Sequence, residues 1–208
     1  MAGPASVHPS GAGTGPGRRR TTSPVELERV AFALFDSDGF EQTTVERIAR
    51  AAGIGRRTFF RYFESKNDVV WGAFTEQLDG MRERFRARPA DEPLMESIRA
   101  VVVEFNCVEP AETDRHRRRL ELILRVPALQ AHSTLRYGEW RAVVADFAAD
   151  RLGEPVTALL PQTIAHTTLG AALAAYEHWL AHPGTDLCTA LDDSLRHLSR
   201  GLSGQAPR

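Results

Sequence analysis

Three arginines within six residues are the side chains of this sequence with the clearest chemistry. Arg56, Arg57 and Arg61 lie in the segment GRRTFFRYF, where aromatic residues separate them. A planar guanidinium can donate two parallel hydrogen bonds to the edge of a guanine or to a phosphate. If the aromatic residues form the inner face of a helix, the arginines point away from the core. This segment is therefore predicted to contact a nucleic acid.

The residues around this segment predict two short helices joined by a glycine turn. Thr43 and Glu46 stand in the S/T-x-x-E relation of a capping box, which predicts the start of the first helix. Apolar residues follow at the spacing of one buried face, and Gly53 stands where a helix commonly ends in a left-handed residue. The second helix is predicted from about Gly55 to Phe63. This is the helix-turn-helix arrangement, in which the second helix enters the DNA major groove.

The charge is divided unevenly along the chain. Residues 1–66 contain 10 basic and 7 acidic side chains, a net charge of 10 − 7 = +3. The remaining residues contain 16 basic and 20 acidic side chains, a net charge of 16 − 20 = −4. A basic end on a mildly acidic body favours one polyanion-binding surface over general basicity.

The N-terminus is predicted to be a disordered arm over residues 1–20 that ends in basic residues. Residues 1–17 contain no Asp, Glu, Lys or Arg, and Arg18, Arg19 and Arg20 follow directly. The three arginines are either a solvated charge run or an arm that contacts the DNA backbone or minor groove. The first helix is predicted to begin at Ser23-Pro24, a cap followed by proline at the first helical position.

The rest of the chain predicts an all-α body. One long helix should run from about Asn67 or Asp68 to before Pro89. This helix either transmits displacement from the C-terminal body to the helix-turn-helix head or only connects the two. Proline and glycine breaks separate the later helices, one of which is predicted to start at a Ser133 cap. No segment alternates as a strand does. We therefore expect a helix-turn-helix domain over residues 21–66 and an effector-binding and dimerisation domain over residues 67–204.

The last two predicted helices suggest a homodimer. The first runs from about Pro161 to Ala181 and is rich in small residues, and the second has leucines on one face from Leu187 to Leu202. These faces either cover the core of their own subunit or form a four-helix interface with a second copy. We favour the dimer, because one short recognition helix rarely gives enough affinity alone.

Cys107 and Cys188 are far apart in the sequence and have no metal-ligand spacing, so they are predicted to be reduced, buried residues. No apolar run approaches the ~20 residues of a membrane helix, and no signal-peptide pattern opens the chain. These features predict a soluble, cytoplasmic protein without a membrane partner.

The head residues also resemble a known family, the TetR transcriptional regulators. The resemblance is carried by Thr44, Ile48-Ala49, Ala52-Gly53, Thr58, Phe59, Phe63 and Lys66. Two positions differ, because the family often has Ser at Gly55 and Tyr at Phe60. The body, from His116 to Phe147, is similar to regulators encoded with mycofactocin biosynthesis. The resemblance implies a dimeric repressor of a palindromic double-stranded DNA operator, without a cofactor.

The predicted functional residues form two sets. The DNA-binding set is Thr44, Arg56, Arg57, Thr58, Phe60, Arg61, Tyr62 and Lys66. The set that could line an apolar ligand pocket is Phe85, Phe105, Leu124, Trp140, Phe147 and Leu173, although core packing explains each alone. Residues 115–119 form a basic run that is either a solvated face or a phosphate site at the pocket mouth. Fatty-acyl ligands recur in the family, so a long-chain acyl-CoA is one candidate effector.

Two other classes of function are weighed against DNA binding. The seven histidines and many carboxylates stand in no recognisable catalytic spacing, and no P-loop or nucleophile-elbow motif occurs, so an enzyme is not expected. A helical interaction module would instead use the arginines to bind an acidic protein. The two hypotheses differ in their prediction for DNA binding. A DNA-binding regulator should bind DNA with an affinity that depends on the DNA sequence and falls steeply as salt rises, whereas an interaction module should not.

Overall fold

The computed structural model describes residues 22–202, and every regular element within that range is helical. The α-helices are α1 Pro24–Asp38, α2 Val45–Ala51, α3 Arg56–Phe59, α4 Lys66–Trp71, α5 Phe74–Arg86, α6 Leu94–Asn106, α7 Thr113–Arg125, α8 Pro127–Leu152, α9 Leu159–Ala181 and α10 Leu187–Ser199. A 3₁₀ turn, Pro110–Glu112, precedes α7. The all-α prediction is confirmed. The arm predicted over residues 1–20 lies outside the described residues.

Side-chain caps define the starts of the first two helices. Ser23 accepts a hydrogen bond from the backbone N–H of Glu26 at 3.2 Å, as the sequence predicted. At α2 the predicted cap is wrong by one residue, because Thr44 accepts from the N–H of Arg47 at 3.2 Å. Thr43 is fully buried, and its hydroxyl donates to the carbonyl of Gly39 at 2.9 Å. Thr43 therefore fixes the turn between α1 and α2 rather than the helix end.

The recognition helix α3 is shorter than predicted. It has four residues, and the chain continues to Tyr62 as a tight turn. The N–H of Arg61 bonds to the carbonyl of Thr58 at 3.3 Å, an i to i+3 contact that tightens the last turn. Phe59 is fully buried and anchors the helix on the head core.

The single long helix predicted after the head is wrong, because it is broken at Gly72. This residue has φ 56° and ψ −132°, a conformation that residues with a Cβ rarely adopt. It ends α4, and α5 begins two residues later at Phe74. A Cβ at this position would lie 2.8 Å from Oε2 of Glu28 in α1, so the break is packed directly against the first helix.

The body is built around the long helices α8 and α9. Pro127 is the first residue of α8, which begins directly after α7. Ser133 is therefore not the predicted cap; it is buried inside α8 and donates to the carbonyl of Leu129 at 2.7 Å. Gly153 ends α8 in the left-handed conformation, with φ 66°, as the sequence indicated.

The leucine face of α10 is already covered within one subunit. Leu191 and Leu195 are fully buried, and α10 packs against α9 and α6. Leu202 was predicted to continue the leucine face, but it lies beyond the end of α10 and is 71% exposed, so the prediction is wrong for this residue. The outward face of α9 instead carries small residues such as Gly170 and Ala174. Within residues 22–202, no helix combines the length and apolarity needed to cross a bilayer.

The prediction of two reduced cysteines is wrong. Cys107, just after α6, forms a disulfide with Cys188 in the first turn of α10. The residues are 81 positions apart in sequence, and their Cα atoms are 5.7 Å apart. Packing of α10 on α6 brings them together, and no local sequence pattern signals this proximity.

Candidate nucleic-acid interface and ligand cavity

Four of the predicted DNA-binding residues surround one groove on the surface of the head. Arg57, Thr58, Phe60 and Arg61 line it. Both arginines are exposed, and Phe60 is 42% exposed although it is a large apolar side chain. Arg57 has no ion pair within residues 22–202, so its five N–H groups can reach a ligand. The segment around α3 thus presents cationic and apolar groups on one face.

Arg56 lies beside this groove with weak internal contacts. Its Nε is 3.2 Å from Oε1 of Glu46 in α2, and both side chains are more than half exposed. The guanidinium also lies 5.2 Å from the ring centroid of Phe60. Exposed ion pairs contribute ~0–1 kcal/mol, so a phosphate or a base edge can displace Glu46.

Tyr62 links the end of the recognition segment to the chain before α1. Its hydroxyl donates to the carbonyl of Thr22 at 2.8 Å and accepts from Nη2 of Arg61 at 2.9 Å. The ring is half-buried. Tyr62 therefore orients Arg61 and joins two parts of the head, and its hydroxyl is less available to a phosphate than the sequence suggested.

Lys66 makes internal contacts with the same ammonium group that was predicted to contact the DNA backbone. Its Nζ donates to the carbonyls of Phe40 at 2.8 Å, Thr43 at 3.1 Å and Glu41 at 3.3 Å. It also lies 4.4 Å from the centroid of the Phe40 ring. An ammonium has three donors, and here all three are used. Lys66 thus ties the start of α4 to the loop between α1 and α2.

Thr44 remains placed to contact a phosphate. It is exposed at the N-terminus of α2, and its hydroxyl accepts from the N–H of Arg47 but still has a proton to donate. Thr44 lines a second surface groove together with Arg50, an exposed arginine without an ion pair in the described part of the chain. Sequence reasoning missed Arg50, although its position on the polar face of α2 could have indicated it.

An apolar cavity of about 120 Å³ lies inside the body, bordered by helices α4 to α9. Its lining consists of Trp71, Phe74, Gln77, Phe105, Asn106, Val108, His116, Arg119, Leu120, Ile123, Tyr137, Trp140, Leu169, Ala172 and Tyr176. Phe105 and Trp140 belong to the predicted pocket set. Trp71 and Phe74 flank the break at Gly72, so the cavity touches the junction that leads to the head.

The other predicted pocket residues lie elsewhere. Phe85 and Phe147 stack on each other with ring centroids 4.3 Å apart and line a separate groove between α5 and α8. Leu124 and Leu173 are half-buried and line neither this groove nor the cavity. The structure therefore brings two of the six side chains to the cavity and leaves four in other packing positions.

Three side chains of the cavity lining each have a buried polar atom without a hydrogen-bond partner among residues 22–202. These atoms are Nε1 of Trp71, Nε2 of His116 and Nε of Arg119. Burial, followed by the nearby charge of Arg119, lowers the pKa of His116 to about 4 from 6.5, so its imidazole is neutral at pH 7. The three side chains thus place polar, hydrogen-bonding groups in the otherwise apolar wall of the cavity.

The basic run at residues 115–119 does not form an open phosphate-binding patch. Arg115 pairs with Glu112, and Arg118 pairs with Asp36 and Glu121. Arg117 lies 4.0 Å from the centroid of the Trp179 ring and donates to its carbonyl. Only His116 and Arg119 of this run reach the cavity. The expectation of a phosphate site at the pocket mouth is therefore not supported by the geometry.

Glu28 and Arg119 form a buried ion pair between the head helix α1 and the body helix α7. Their side chains are 11% and 16% exposed, which makes this pair the most enclosed of the ion pairs described. Sequence reasoning missed Glu28. Helical spacing could have indicated that Glu28 is buried, since it shares a face of α1 with the buried residues Phe32 and Phe35.

Both the N-terminal and the C-terminal part of the chain match known protein families. Residues 29–70 match the family described as "Bacterial regulatory proteins, tetR family", and residues 92–203, more than half the chain, match "MftR C-terminal domain". The chain is 44% identical over 189 residues to MftR of Mycobacterium tuberculosis, named as a regulator of mycofactocin biosynthesis, covering 89% of this chain and 94% of that one. It is 30% identical to the regulator TcmR of Streptomyces glaucescens, covering 86% of this chain and 82% of that one.

Solved structures share the fold. FadR of Thermus thermophilus, a TetR-family repressor in complex with lauroyl-CoA, superposes with a TM-score of 0.58 at 24% identity, covering 89% of this chain and 98% of that one. FadR of Bacillus halodurans superposes with a TM-score of 0.64 at 18% identity, covering 90% of this chain and all of that one. From its helix-turn-helix head, its helical body and its relatives, this chain belongs to the TetR family of transcriptional regulators.

Proposed function

We propose that the protein is a dimeric repressor that a small apolar molecule releases from its operator. The observation that carries this proposal is the exposed Arg57, which has no ion pair within residues 22–202 and lies beside Arg56 on α3 and Arg61 in the following turn. The head that carries these arginines packs on a body that contains a cavity. Bidentate contacts from arginine to guanine would read the sequence. Thr44 and Arg50 would position the head on the phosphates. A cytoplasmic location accords with this role.

The dimer contact belongs on the outward face of α9. This face carries small residues, and Gly170 and Ala174 would let the same helix of a second copy approach closely. The leucines of α10 cover the core of their own subunit, so α10 would contribute its outer, polar face. A two-fold dimer of this kind would bind a palindrome whose half-sites are roughly 34 Å apart or a multiple of that distance.

Release of the operator would start at the cavity. Trp71 and Phe74, on either side of the break at Gly72, border the cavity and lead directly to the head through α4. A ligand can shift the head only by the difference in its affinity for the bound and released states. A molecule that forces the cavity wider would move α4 and so change the separation of the two heads.

A long-chain acyl-CoA is the effector candidate to test first. Support comes from the apolar lining and from the lauroyl-CoA complex of Thermus thermophilus FadR. The cavity of about 120 Å³ is smaller than the ~300 Å³ of a typical ligand pocket, so a long acyl chain requires it to open. That requirement accords with a ligand that favours the released state.

The proposal is tested with the purified full-length chain and the promoter DNA upstream of its own gene. Fluorescence anisotropy should show tighter binding to this DNA than to unrelated DNA of the same length, with affinity that falls as salt rises. Lauroyl-CoA should give heat in calorimetry and release the DNA, and free coenzyme A is the control. Equal affinity for both DNAs would reject the regulator, whereas inert lauroyl-CoA would reject only the acyl-CoA effector.

A further inference from the structure

We propose that the cavity recognises the acidic head of an apolar ligand through Arg119, and that this head competes with Glu28 of α1 for the same guanidinium. The inference rests on the proposed function, since it concerns the effector cavity of the regulator. It names an effector class that differs from the acyl-CoA candidate, an apolar or aromatic molecule with a free carboxylate, because the thioester of an acyl-CoA has no charge to offer Arg119. It also names the head-to-body contact that the effector would weaken.

Arg119 connects the cavity to the head. Its Nη2 group donates to Glu28, its Nε has no partner within the described residues, and the side chain lines the cavity. The guanidinium also lies 5.5 Å from the ring centroid of Phe32, a second residue of α1. One cation therefore holds the first helix of the head and forms part of the cavity wall.

The polar side chains of the lining define what the ligand must carry. The side chains of Arg119 and Trp71 line the cavity and can only donate hydrogen bonds, so the ligand must supply acceptors. Trp71 is 7% exposed, which leaves solvent little access to its N–H group. Because one of the donors is a buried cation, an anionic acceptor gains most. The neutral imidazole of His116 can donate or accept beside them.

A second carboxylate on this guanidinium would disturb Glu28. Two carboxylates that share one cation repel each other, and the low polarity of the site strengthens this repulsion. Glu28 has little room to retreat toward α4, because its Oε2 atom lies against the backbone of Gly72, where even a methyl group would come within 2.8 Å. An acidic ligand would therefore weaken the contact that holds α1 on α7.

The coupling must be reciprocal. If an acid at Arg119 weakens the hold of Glu28, then loss of the Glu28 charge must strengthen binding of the acid by the same factor. Among the described residues, Glu28 bonds to Arg119 but does not itself line the cavity, so Glu28→Gln alters the competition and leaves the lining intact. A matched control exists in Asp36→Asn, which removes one of the two acidic partners of Arg118 in a more exposed pair between the same two helices.

Calorimetry without DNA tests the inference on the full chain. The probes are 3-phenylpropanoate and dodecanoate, each compared with its neutral amide. Wild type should prefer each acid to its amide by about tenfold or more, the difference expected for a hydrogen bond to a charged group. Glu28→Gln should bind the acids about tenfold tighter and the amides almost unchanged. Asp36→Asn should behave as wild type, and Arg119→Gln should lose the preference for acids.

The outcomes separate this inference from the proposed function. Equal binding of acid and amide, no binding of either pair, or an unchanged acid affinity in Glu28→Gln overturns the inference. Each of these results leaves binding to promoter DNA, measured by anisotropy, untouched. If the chain does not bind promoter DNA, the proposal that it is a regulator is wrong. The preference for acids over amides is measured by calorimetry without DNA, so that result does not decide it. Glu28→Gln also keeps the test decisive if Arg119→Gln does not fold.

Discussion

The ammonium nitrogen of Lys66 lies 2.8 Å from the main-chain oxygen of Phe40 and 4.4 Å from the centre of its ring. This contact joins the first residue of α4 to the loop between α1 and α2. A cation that the family motif places near DNA is thus used inside the head. We propose that its charge stabilises the arrangement of the helices that present α3 rather than contacting the DNA backbone.

Lys66→Met should therefore destabilise the protein more than it changes the electrostatics of DNA binding. Hydrogen bonds to charged groups contribute about 1.5–3 kcal/mol, so urea denaturation should show a loss in that range. The slope of log affinity against log salt should stay as in wild type, because no phosphate contact is removed. A slope that falls by about one unit with unchanged stability would instead return Lys66 to the DNA contacts.

Gly72→Ala should lower stability because of its backbone conformation and its neighbour. The φ of 56° disfavours any residue with a Cβ, and the added methyl group would meet Oε2 of Glu28 at 2.8 Å. We expect a loss of about 1–3 kcal/mol in chemical denaturation. Gly138→Ala is the matched control, since it lies within α8 with nothing near its Cβ, and it should gain ~0.5–1 kcal/mol. Equal effects of the two substitutions would contradict the role of Gly72.

Reduction of the disulfide between Cys107 and Cys188 should destabilise the body. The bond ties α6 to α10 across 81 residues, so its loss increases the freedom of the unfolded chain. Denaturation with and without dithiothreitol should differ by about 2–4 kcal/mol. In the variant with serine at both positions, dithiothreitol should have no effect. Two titratable thiols in the native, unreduced protein would show that the bond does not form.

His116 should make stability fall as the pH falls below 6.5. Burial, together with the charge of Arg119, lowers its pKa to about 4 in the folded protein. Between these values the unfolded chain binds the proton and the folded chain does not, so acid favours unfolding. The free energy of unfolding should drop by about 1.4 kcal/mol for each pH unit attributable to this group.

Two variants isolate the contribution of His116 to the pH dependence. His116→Gln should flatten the stability profile between pH 6.5 and 4. His197→Gln changes an exposed histidine of α10 and should keep the wild-type profile. The assignment fails if both variants follow the same curve as wild type.

Local patterns in the sequence predicted most of the fold. The Ser23 cap, the end of α8 at Gly153 and the all-helical body follow from capping residues and helical periodicity, which act over a few positions. The break at Gly72 was missed because the apolar stripe continues through it. The close packing of Glu28 against the backbone at this break involves a residue more than forty positions away, which no local pattern indicates.

The residues of the candidate DNA-binding surface were predicted better than those of the cavity, because only the former follow a local sequence pattern. The exposed arginines of α3 were identified because helix-turn-helix spacing is local. The lining of the cavity was mostly not identified, because its residues come from six helices that are distant in sequence. Aromatic residues such as Phe85 and Phe147 also show the same helical spacing whether they line a ligand cavity or pack against each other. The pairing of Cys107 with Cys188 likewise depends on the docking of α10 against α6.

The central claim is that the arginines on α3 read the operator, and Arg57→Ala tests it most directly. Affinity for promoter DNA is measured by fluorescence anisotropy for wild type, Arg57→Ala and Arg125→Ala, an exposed arginine of the body helix α7. We predict that Arg57→Ala costs about 1–3 kcal/mol of binding free energy and loses preference for the promoter over unrelated DNA, while Arg125→Ala binds as wild type. Wild-type affinity and preference in Arg57→Ala would contradict the account.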